Sequence, residues 1–565
     1  MHHVSDPARS HATVSVSSPQ PAFYYLLLGL AAAIYLVFAC YRLTGIPLGY
    51  DELLFCNAAL GGVDPDLFNF VKWGDVPILL MDYIGALKAW LYYPIFKLFG
   101  VSIWSIRLPM ALLTIGGLCW LADLVRREWG WLMALVVVFF LAFDASFVHY
   151  TRFDTGPNAI ELFLKIASIA LWLRFVQTSR VRYVIWIGVV LLLGQFNKLN
   201  FIWYINAFYV GLVVAYGRWA FDWWQQARLA KRTQALLAIG GTYLLAVAYL
   251  LVANRLFDVF GQKIGNEKGL AEPFFRVFDL FGDVMGGSGL MVYTYWFGFG
   301  GWPQWLFSVQ PIVATLLLGT SVVVAGTLLL RARLIGPLAA QDRLFLFSTA
   351  ILFALLAQMF VTERARYGWH IFAVYPFATL SGLYAIRWLW ARLPGPATAS
   401  RIGMGLTVAG LFGLVLATQF FMIKGLRRQP FLHGAAINQL IEYARPQNQK
   451  FVIVGGACTT QLITMTQQPD KYYELAYLFN VTHKFLTIRA KDHAEFAQKF
   501  LAKPGEYLFI DTTNPMKPGE VARFRDFYCR PFLDIVAEHG RQVEVVKEID
   551  GPPGGDGYRI YRVRP

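Results

Sequence analysis

The sequence predicts a polytopic α-helical membrane protein with a C-terminal α/β domain outside the membrane. Of its 565 residues, 57% are hydrophobic and only 15% are charged, whereas soluble globular chains carry about 25% charged residues. Several windows of about 20 apolar residues are long enough to cross a hydrocarbon core of about 30 Å. The net charge of +15 fits cytoplasmic loops and anionic lipid headgroups, so no nucleic-acid binding is inferred.

The apolar segments predict about eleven transmembrane helices. They lie at residues 22–42, 105–124, 130–149, 157–176, 182–198, 200–217, 234–253, 306–330, 344–362, 370–388 and 402–423. Basic connections such as 126–127, 180–182 and 228–232 fall on one side of this arrangement, which the positive-inside rule makes cytoplasmic. Residues 1–21 are then a cytoplasmic N-terminal tail, and residues 22–424 form the transmembrane domain.

With the N-terminus in the cytoplasm, the alternation of the predicted spans places two long loops on the outer side. In the loop over residues 44–104 we expect a short helix at Asp51–Leu60 and a helix in the membrane interface over Tyr83–Phe99, with its lysines reaching the headgroups. The loop over residues 255–304 is rich in glycine and aromatic residues. It fits a cover over a site as well as a plain connector.

Residues 430–565 have the composition of a soluble α/β domain, which the topology places outside. Its expected elements are two buried strands, an amphipathic helix and a C-terminal hairpin. They lie at Phe451–Val454, Tyr507–Ile510, Asp492–Leu501, and Val543–Ile549 with Tyr558–Val563. The five cysteines form no CxxC or Cys/His motif, so no metal site is indicated. A disulfide between Cys458 and Cys529 is left open.

Ionisable residues gather in four groups on the predicted outer face. The groups are Asp51 and Glu52; Lys72, Asp75, Asp82 and Lys88; Arg152 and Asp154; and Glu363, Arg364, Arg366, Tyr367 and His370. Such a mixture suits a reaction in which a carboxylate accepts a proton from an attacking hydroxyl while cations hold a departing phosphate. Asp51 is the expected base, because an acidic pair beside the bilayer is costly to desolvate and is mostly kept for function.

Structural roles are the alternatives for the other candidates. Arg152 is also placed to anchor a span at the interface, and His370 to sit at a helix end. Asp154 is placed to favour the N-terminus of the following span through the helix dipole, with Pro157 in its first turn.

Two other functions are alternatives to transfer chemistry. A transporter or flippase of a lipid-linked glycan would carry ionisable residues at the middle of broken helices. The predicted spans have nearly none there, with Asp123 and Lys165 the closest exceptions. A binding module anchored by the membrane part is a third reading, but eleven spans far exceed what an anchor needs.

Over roughly residues 22–390 the sequence resembles the GT-C membrane glycosyltransferases. The resemblance is closest to the dolichyl-phosphate-mannose–protein mannosyltransferase-like branch, which includes the aminoarabinose transferases. It rests on a first span ending in Asp51-Glu52, on Phe99-Gly-Val-Ser-Ile-Trp-Ser-Ile-Arg107-Leu-Pro109, on Arg152-Phe-Asp154, and on Arg366-Tyr-Gly-Trp-His370-Ile-Phe-Ala-Val-Tyr375-Pro376.

The resemblance implies a GT-C fold and an inverting transferase at the outer face of a bacterial inner membrane. A polyprenyl-phosphate-linked sugar is the implied donor, and a lipid, polysaccharide or protein hydroxyl is the acceptor. The implied residues are Asp51 as base with Glu52 as its partner, Asp154 as the second acid, and Lys88, Arg152, Arg366 and His370 at the donor phosphate.

One departure from the family bears on the substrate. The Glu-Lys-Pro-Pro pattern of the aminoarabinose transferases is replaced here by Trp73-Gly-Asp75-Val-Pro77. Aminoarabinose transfer to lipid A is therefore disfavoured, and no metal ligand is carried over. A divalent cation stays open as a cofactor.

Overall fold

The computed structural model describes two compact units. It covers residues 21–45, 48–63, 71–81, 83–154, 156–257, 304–362, 368–392, 397–428, 434–453, 459–468, 472–474, 497–502, 505–512, 532–550 and 557–564. The first unit comprises Met1–Tyr41, Asp82–Lys88 and Arg107–Gly425, and the second comprises Arg42–Met81, Ala89–Ile106 and Leu426–Pro565.

Long helices dominate the chain up to residue 428. In chain order they are α1 (Pro21–Cys40), α2 (Tyr50–Ala59), α3 (Leu87–Phe99), α4 (Ile103–Trp129), α5 (Trp131–Phe143), α6 (Ala145–Phe153), α7 (Asn158–Thr178), α8 (Arg182–Asn197), α9 (Phe201–Gln226), α10 (Leu229–Phe257), α11 (Gln304–Leu334), α12 (Ala340–Val361), α13 (Phe377–Trp390) and α14 (Ala397–Arg428). The predicted short helix at Asp51–Leu60 is confirmed as α2. The expected interfacial helix begins later than predicted, at Leu87.

The described residues contain six helices long and apolar enough to cross a membrane, or seven if one bent pair counts as a span. They lie in α1, α4, α10, α11, α12 and α14. The helical membrane fold is thus confirmed, but the predicted number of eleven spans is not. One reason lies in α7, where Glu161, Lys165 and Arg174 fall within any window of membrane-spanning length.

The bent pair corrects the predicted span at 130–149. α5 ends at Phe143, α6 begins at Ala145, and their axes differ by 65°. Between them, Asp144 Oδ1 accepts hydrogen bonds from the amides of Ser146 and Phe147 at 2.9 and 3.2 Å. The chain can restart a helix here because this carboxyl satisfies amides that have no partner within the new helix.

The predicted span at 370–388 is also divided. A 3₁₀ helix at Gly368–Val374 is followed by α13, which begins at Phe377. Pro376 lies at the junction, and a proline cannot supply the amide that a continuous helix would need at its position.

The first unit is held by one large apolar core. Phe208 of α9 meets Phe347 of α12 edge-to-face with ring centroids 5.5 Å apart, and Tyr204 of α9 stacks on Phe377 of α13 at 5.7 Å. Such aromatic pairs add about 0.5–1.5 kcal/mol beyond the area they bury. They fix α9, α12 and α13 against one another.

The second unit contains a hairpin, a mixed sheet and short helices. Its elements include β1 (Val71–Trp73), β2 (Val76–Met81), α15 (Gly434–Ala444), β4 (Lys450–Ile453), α16 (Thr459–Thr466), β5 (Tyr472–Glu474), a π-helix (Ala497–Leu501), β6 (Tyr507–Thr512), α17 (Phe532–Glu538), β7 (Val543–Ile549) and β8 (Tyr558–Val563). The label β3 denotes Ile84–Gly85 of the first unit. The sheet has the order β5-β4-β6-β8-β7, with β5 and β6 parallel to β4 and with β8 antiparallel to both β6 and β7.

This sheet confirms the small C-terminal α/β region. The predicted strands correspond to β4 and β6, and the predicted hairpin is β7 with β8. Of the predicted helix over Asp492–Leu501, residues 492–496 lie outside the described residues, and Ala497–Leu501 form a π-helix. Cys458, Cys529 and most of the loop at 255–304 also lie outside them.

Candidate functional site

The turn between α6 and α7 is built around Asp154. Asp154 ends α6 in the left-handed conformation, with φ 46° and ψ 42°, which aspartate tolerates better than most residues. Its Oδ1 accepts a hydrogen bond of 2.8 Å from the amide of Ala159, in the first turn of α7. The carboxylate therefore satisfies an amide at the positive end of the α7 dipole, which is the structural role expected for it.

Lys88 approaches the same turn from the start of α3. Its Nζ lies 2.8 Å from Asp154 Oδ2 and 2.9 Å from the Asp154 carbonyl oxygen. Lys88 is 0% exposed and Asp154 is 1% exposed. The expectation that Lys88 reaches toward lipid headgroups is therefore wrong. A buried ammonium is costly without an opposite charge, and Asp154 supplies that charge.

Two buried arginines contact the C-terminal end of α6. The guanidinium carbons of Arg107 and Arg152 lie 4.8 and 5.1 Å from the centre of the Phe153 ring, within the range of cation–π attraction. Arg152 also donates a hydrogen bond to the carbonyl oxygen of Tyr41. His149, one turn earlier, meets Phe153 edge-on with ring centroids 4.6 Å apart. Basic side chains are thus concentrated beside the α6–α7 turn.

A second buried ion pair lies within α7. Lys165 Nζ is 2.7 Å from Glu161 Oε1, one turn earlier on the same helix. The ammonium also donates to the carbonyl oxygens of Phe372 and Ala373 at 3.3 and 2.9 Å. Both carbonyls belong to the 3₁₀ helix at Gly368–Val374, so the pair fixes this segment against α7.

His370 lies on that 3₁₀ helix. It is half-buried, and its ring meets Trp203 of α9 with centroids 5.7 Å apart. Arg366, the other candidate of this stretch, lies outside the described residues, and its role stays a prediction.

Asp51 and Glu52 begin α2 in the second unit. Glu52 is 1% exposed, and its Oε2 accepts a hydrogen bond of 2.8 Å from the amide of Gly49. A glutamate that reaches back from the third helical position to the N-cap amide is one half of a capping box. Asp51, one position earlier, is only half-buried. The more accessible carboxylate of the pair is therefore the one predicted to be the base.

The structure brings together part of the predicted constellation. Lys88, Arg152 and Asp154 lie in the first unit around one turn. Asp51 and Glu52 belong to the second unit, and their convergence with that turn on one membrane surface stays a prediction. Within the described part of the chain, no group of three or more His, Cys, Asp or Glu residues is placed to hold a metal ion.

Two buried basic residues of this region, Arg107 and Lys198, are not among the predicted site residues. Arg107 stood in a motif quoted for the resemblance, but nothing in the pattern indicated that its guanidinium packs on Phe153. Lys198 is the last residue of the predicted span at 182–198, and the next span begins at residue 200. Its position therefore indicated only a short connection between two spans. Its position could have indicated a functional residue. The positive-inside rule accounts for basic residues on the cytoplasmic side, and Lys198 lies between two apolar segments on the predicted outer side.

Three solved structures resemble the chain over most of its length. ArnT from Cupriavidus metallidurans bound to undecaprenyl phosphate is 13% identical, with 96% of this chain and 98% of that chain covered and a TM-score of 0.49. The apo oligosaccharyltransferase of Archaeoglobus fulgidus is 13% identical, with 87% of this chain and 70% of that chain covered and a TM-score of 0.44. The third structure is AglB of the same organism in complex with an inhibitory peptide and a dolichol-phosphate. It is 11% identical, with 86% of this chain and 69% of that chain covered and a TM-score of 0.43. Similarity at this level does not transfer a function.

A family model described as dolichyl-phosphate-mannose-protein mannosyltransferase matches residues 85–238. No curated protein sequence matches the chain. The matched segment includes Lys88, Arg152, Asp154 and Lys198, and so contains the buried ionic turn of the first unit. Over this segment the chain is similar to the dolichyl-phosphate-mannose-protein mannosyltransferase family, in agreement with the resemblance seen in the sequence.

Proposed function

We propose that the protein transfers a sugar from a polyprenyl-phosphate donor to an acceptor hydroxyl, with Asp51 as the general base. The observation that carries the proposal is the buried pair of Lys88 and Asp154, which lies inside the segment matched by the family model. The description of that family names a dolichyl-phosphate-linked sugar. A polyprenyl phosphate provides the anionic leaving group that a cluster of buried cations would stabilise.

The proposed step is a single displacement. The acceptor oxygen attacks the anomeric carbon while the Asp51 carboxylate takes the hydroxyl proton. The bond from the anomeric carbon to the phosphate oxygen breaks, and its electron pair leaves with the polyprenyl phosphate, so the configuration inverts. A phosphate is already a good leaving group, and a base with a cationic clamp is sufficient.

The geometry refines the proposed roles of the two other acids. Glu52 holds the start of α2 and thereby positions Asp51, since its carboxylate binds the Gly49 amide. Asp154 positions Lys88, since its carbonyl oxygen accepts a hydrogen bond from the Lys88 ammonium and its carboxylate forms an ion pair with the same group. Neither acid needs to exchange a proton in the proposed step.

In this proposal several cationic side chains bind the donor phosphate together. Lys88 and Arg152 lie at the α6–α7 turn, and Arg366 and His370 would contribute from the stretch before α13. Arginine can bind a phosphate through two parallel N–H donors, whereas a lysine acts as a point charge. The acceptor is a lipid, a polysaccharide or a protein.

We place the reaction at the outer face of a bacterial inner membrane. The support is the sequence topology, in which the basic connections lie on the cytoplasmic side and residues 44–104, 255–304 and 430–565 lie outside. In this arrangement the second unit's sheet is periplasmic, and the donor phosphate lies at headgroup depth.

A transporter or flippase is the less supported alternative. The buried pair of Lys165 and Glu161 is the feature that would suit it, since transporters keep ionisable groups inside the membrane. The Lys165 ammonium, however, donates to two backbone carbonyls. That arrangement suits a structural anchor better than a group that must bind and release a substrate.

Replacement of the base tests the proposal. In reconstituted membranes supplied with labelled polyprenyl-phosphate sugars, Asp51→Asn is expected to lower transfer by about 10²–10⁴-fold, because the attacking hydroxyl loses its proton acceptor. Asp75→Asn is the matched control, since Asp75 is exposed in the turn between β1 and β2, and it should leave transfer unchanged.

Two outcomes would contradict the proposal. If Asp51→Asn transferred sugar at the rate of the unsubstituted protein, Asp51 would not be the general base. Accumulation of unmodified lipid-linked sugar inside sealed vesicles, with no covalent product by mass spectrometry of the lipids and glycans, would favour the flippase.

A further inference from the structure

Lys198 is a buried lysine that the proposed mechanism does not use. It is 6% exposed and follows the last residue of α8 in an extended conformation. Its Nζ lies beside Gly156, because a Cβ built on that glycine would be 2.8 Å from the nitrogen. Gly156 has φ +79°, a conformation that favours glycine. The lysine therefore points at the same turn that Lys88 approaches from α3.

Backbone contacts hold Lys198 in this place. The amide of Leu199 donates to the carbonyl oxygen of Tyr83 at 2.8 Å, and Ile84 forms an antiparallel bridge with Lys198. A Cβ on Gly85 would come within 1.9 Å of the Phe196 carbonyl oxygen, so only glycine permits this approach. The end of α8 is thus tied to the segment that leads directly into Lys88.

The charges around the turn do not balance among the described residues. Lys88 is paired with Asp154, and Lys165 is paired with Glu161. For Lys198 the described residues provide no ion pair and no side-chain hydrogen bond. A buried ammonium is costly unless an anion or polar oxygens compensate it. The imbalance favours an anionic ligand.

We propose that Lys198 is a phosphate-binding residue, and that it and Lys88 contact the phosphate of the lipid-linked substrate from two sides of the turn at residues 154 and 156. The inference rests on the proposed function, which supplies a phosphate, and extends it by a residue that the sequence did not indicate. Gly156 takes part by leaving the space that a Cβ would deny to the Lys198 ammonium.

Binding of a lipid phosphate, compared with the matching lipid alcohol, tests the proposal. The protein is placed in nanodiscs, and its affinities for undecaprenyl phosphate and undecaprenol are measured by native mass spectrometry and by thermal stabilisation. Lys198→Met is expected to weaken phosphate binding about 10-fold to 100-fold, as for loss of one charge-assisted hydrogen bond. Undecaprenol binding should not change. Lys198→Arg keeps the charge and should stay within about 5-fold of the unsubstituted protein.

Two further variants separate contact from general damage. Gly156→Ala removes no charge but displaces the ammonium, so it should weaken phosphate binding and spare alcohol binding. Lys97→Met removes an exposed lysine of α3 and should change neither affinity. If Lys198→Met folds poorly, Gly156→Ala still tests whether the Lys198 ammonium contacts the phosphate.

The outcomes distinguish this inference from the proposed function. Normal preference for the phosphate in Lys198→Met, or in Gly156→Ala, would overturn the role of Lys198 while the proposed function stands. Equal loss of phosphate and alcohol binding would make Lys198 a structural residue and overturn the proposal. Absence of any preference for the phosphate in the unsubstituted protein would overturn the proposed function and this inference with it.

Discussion

Two helix starts, one in each unit, carry a buried carboxylate that the sequence predicted to be catalytic. At the start of α7, Asp154 accepts from the Ala159 amide and also pairs with Lys88 at 2.8 Å. At the start of α2, Glu52 accepts from the Gly49 amide, and its neighbour Asp51 is half-buried. Both carboxylates satisfy a helix end, but one also holds a cation and the other also positions a second acid.

The difference shows how a carboxylate's surroundings decide its use. Asp154, between Ala159 and Lys88, is therefore suited to hold a cation in place. Asp51 lies beside a residue that already occupies the helix end, and it stays the better candidate for proton transfer.

The largest loss of stability is expected when the ionic turn is broken on one side. Asp154→Asn leaves the Lys88 ammonium buried without a carboxylate, which should lower the free energy of unfolding by about 3–5 kcal/mol. The double variant Asp154→Asn with Lys88→Met should recover much of this loss, because no buried charge remains. Thermal unfolding in detergent measures both. A single variant as stable as the double one would show that the pair is hydrated in the protein.

A smaller effect is expected at the other end of α6, where neutral donors hold a carboxyl. Tyr375 donates a hydrogen bond of 2.6 Å to Asp144 Oδ2, and both residues are buried. Tyr375→Phe should lower the free energy of unfolding by about 1–3 kcal/mol, because it leaves a buried carboxyl oxygen without its donor. Tyr25→Phe, at a position 60% exposed, is the control for loss of a hydroxyl. Equal melting temperatures for the two variants would contradict the bond.

The smallest effect is expected at the start of α2. Glu52→Ala removes the acceptor for the Gly49 amide and should cost about 0.5–2 kcal/mol, as for loss of a helix cap. Glu52→Gln keeps an acceptor oxygen and should preserve both stability and most of the proposed sugar transfer, which Asp51→Asn is expected to lower. If Glu52→Gln lost transfer as completely as Asp51→Asn, Glu52 would take part in proton transfer and the contrast between the two helix starts would fail.

Some site properties could be predicted from sequence because they depend on local chain geometry. The capping role of Asp154 follows from its place before Pro157 and α7, and the short helix at Asp51 follows from the acids in its first turn. The burial of Lys88 could not be predicted. The segment around Lys88 is amphipathic in composition. Only the carboxylate of Asp154, at the end of α6, offsets the cost of burying the Lys88 ammonium.

The same limit applies to the spans. Hydropathy identified each apolar stretch, but it did not reveal that Asp144 divides 130–149 into two helices bent by 65°. An aspartate inside an apolar window has the same hydropathy whether it is unsatisfied or caps a helix. The distinction depends on hydrogen bonds that hydropathy does not record.

The sequence by itself determined the membrane class, the resemblance to GT-C glycosyltransferases and the C-terminal α/β region. These properties follow from composition, periodicity and short motifs, which are local. Only the tertiary structure decided that Lys88 pairs with Asp154, that Lys165 anchors the 3₁₀ helix, and that Lys198 lies against Gly156. Each of these contacts joins residues from different elements, and the energy of a buried charge depends on which groups folding brings within a few ångströms of it.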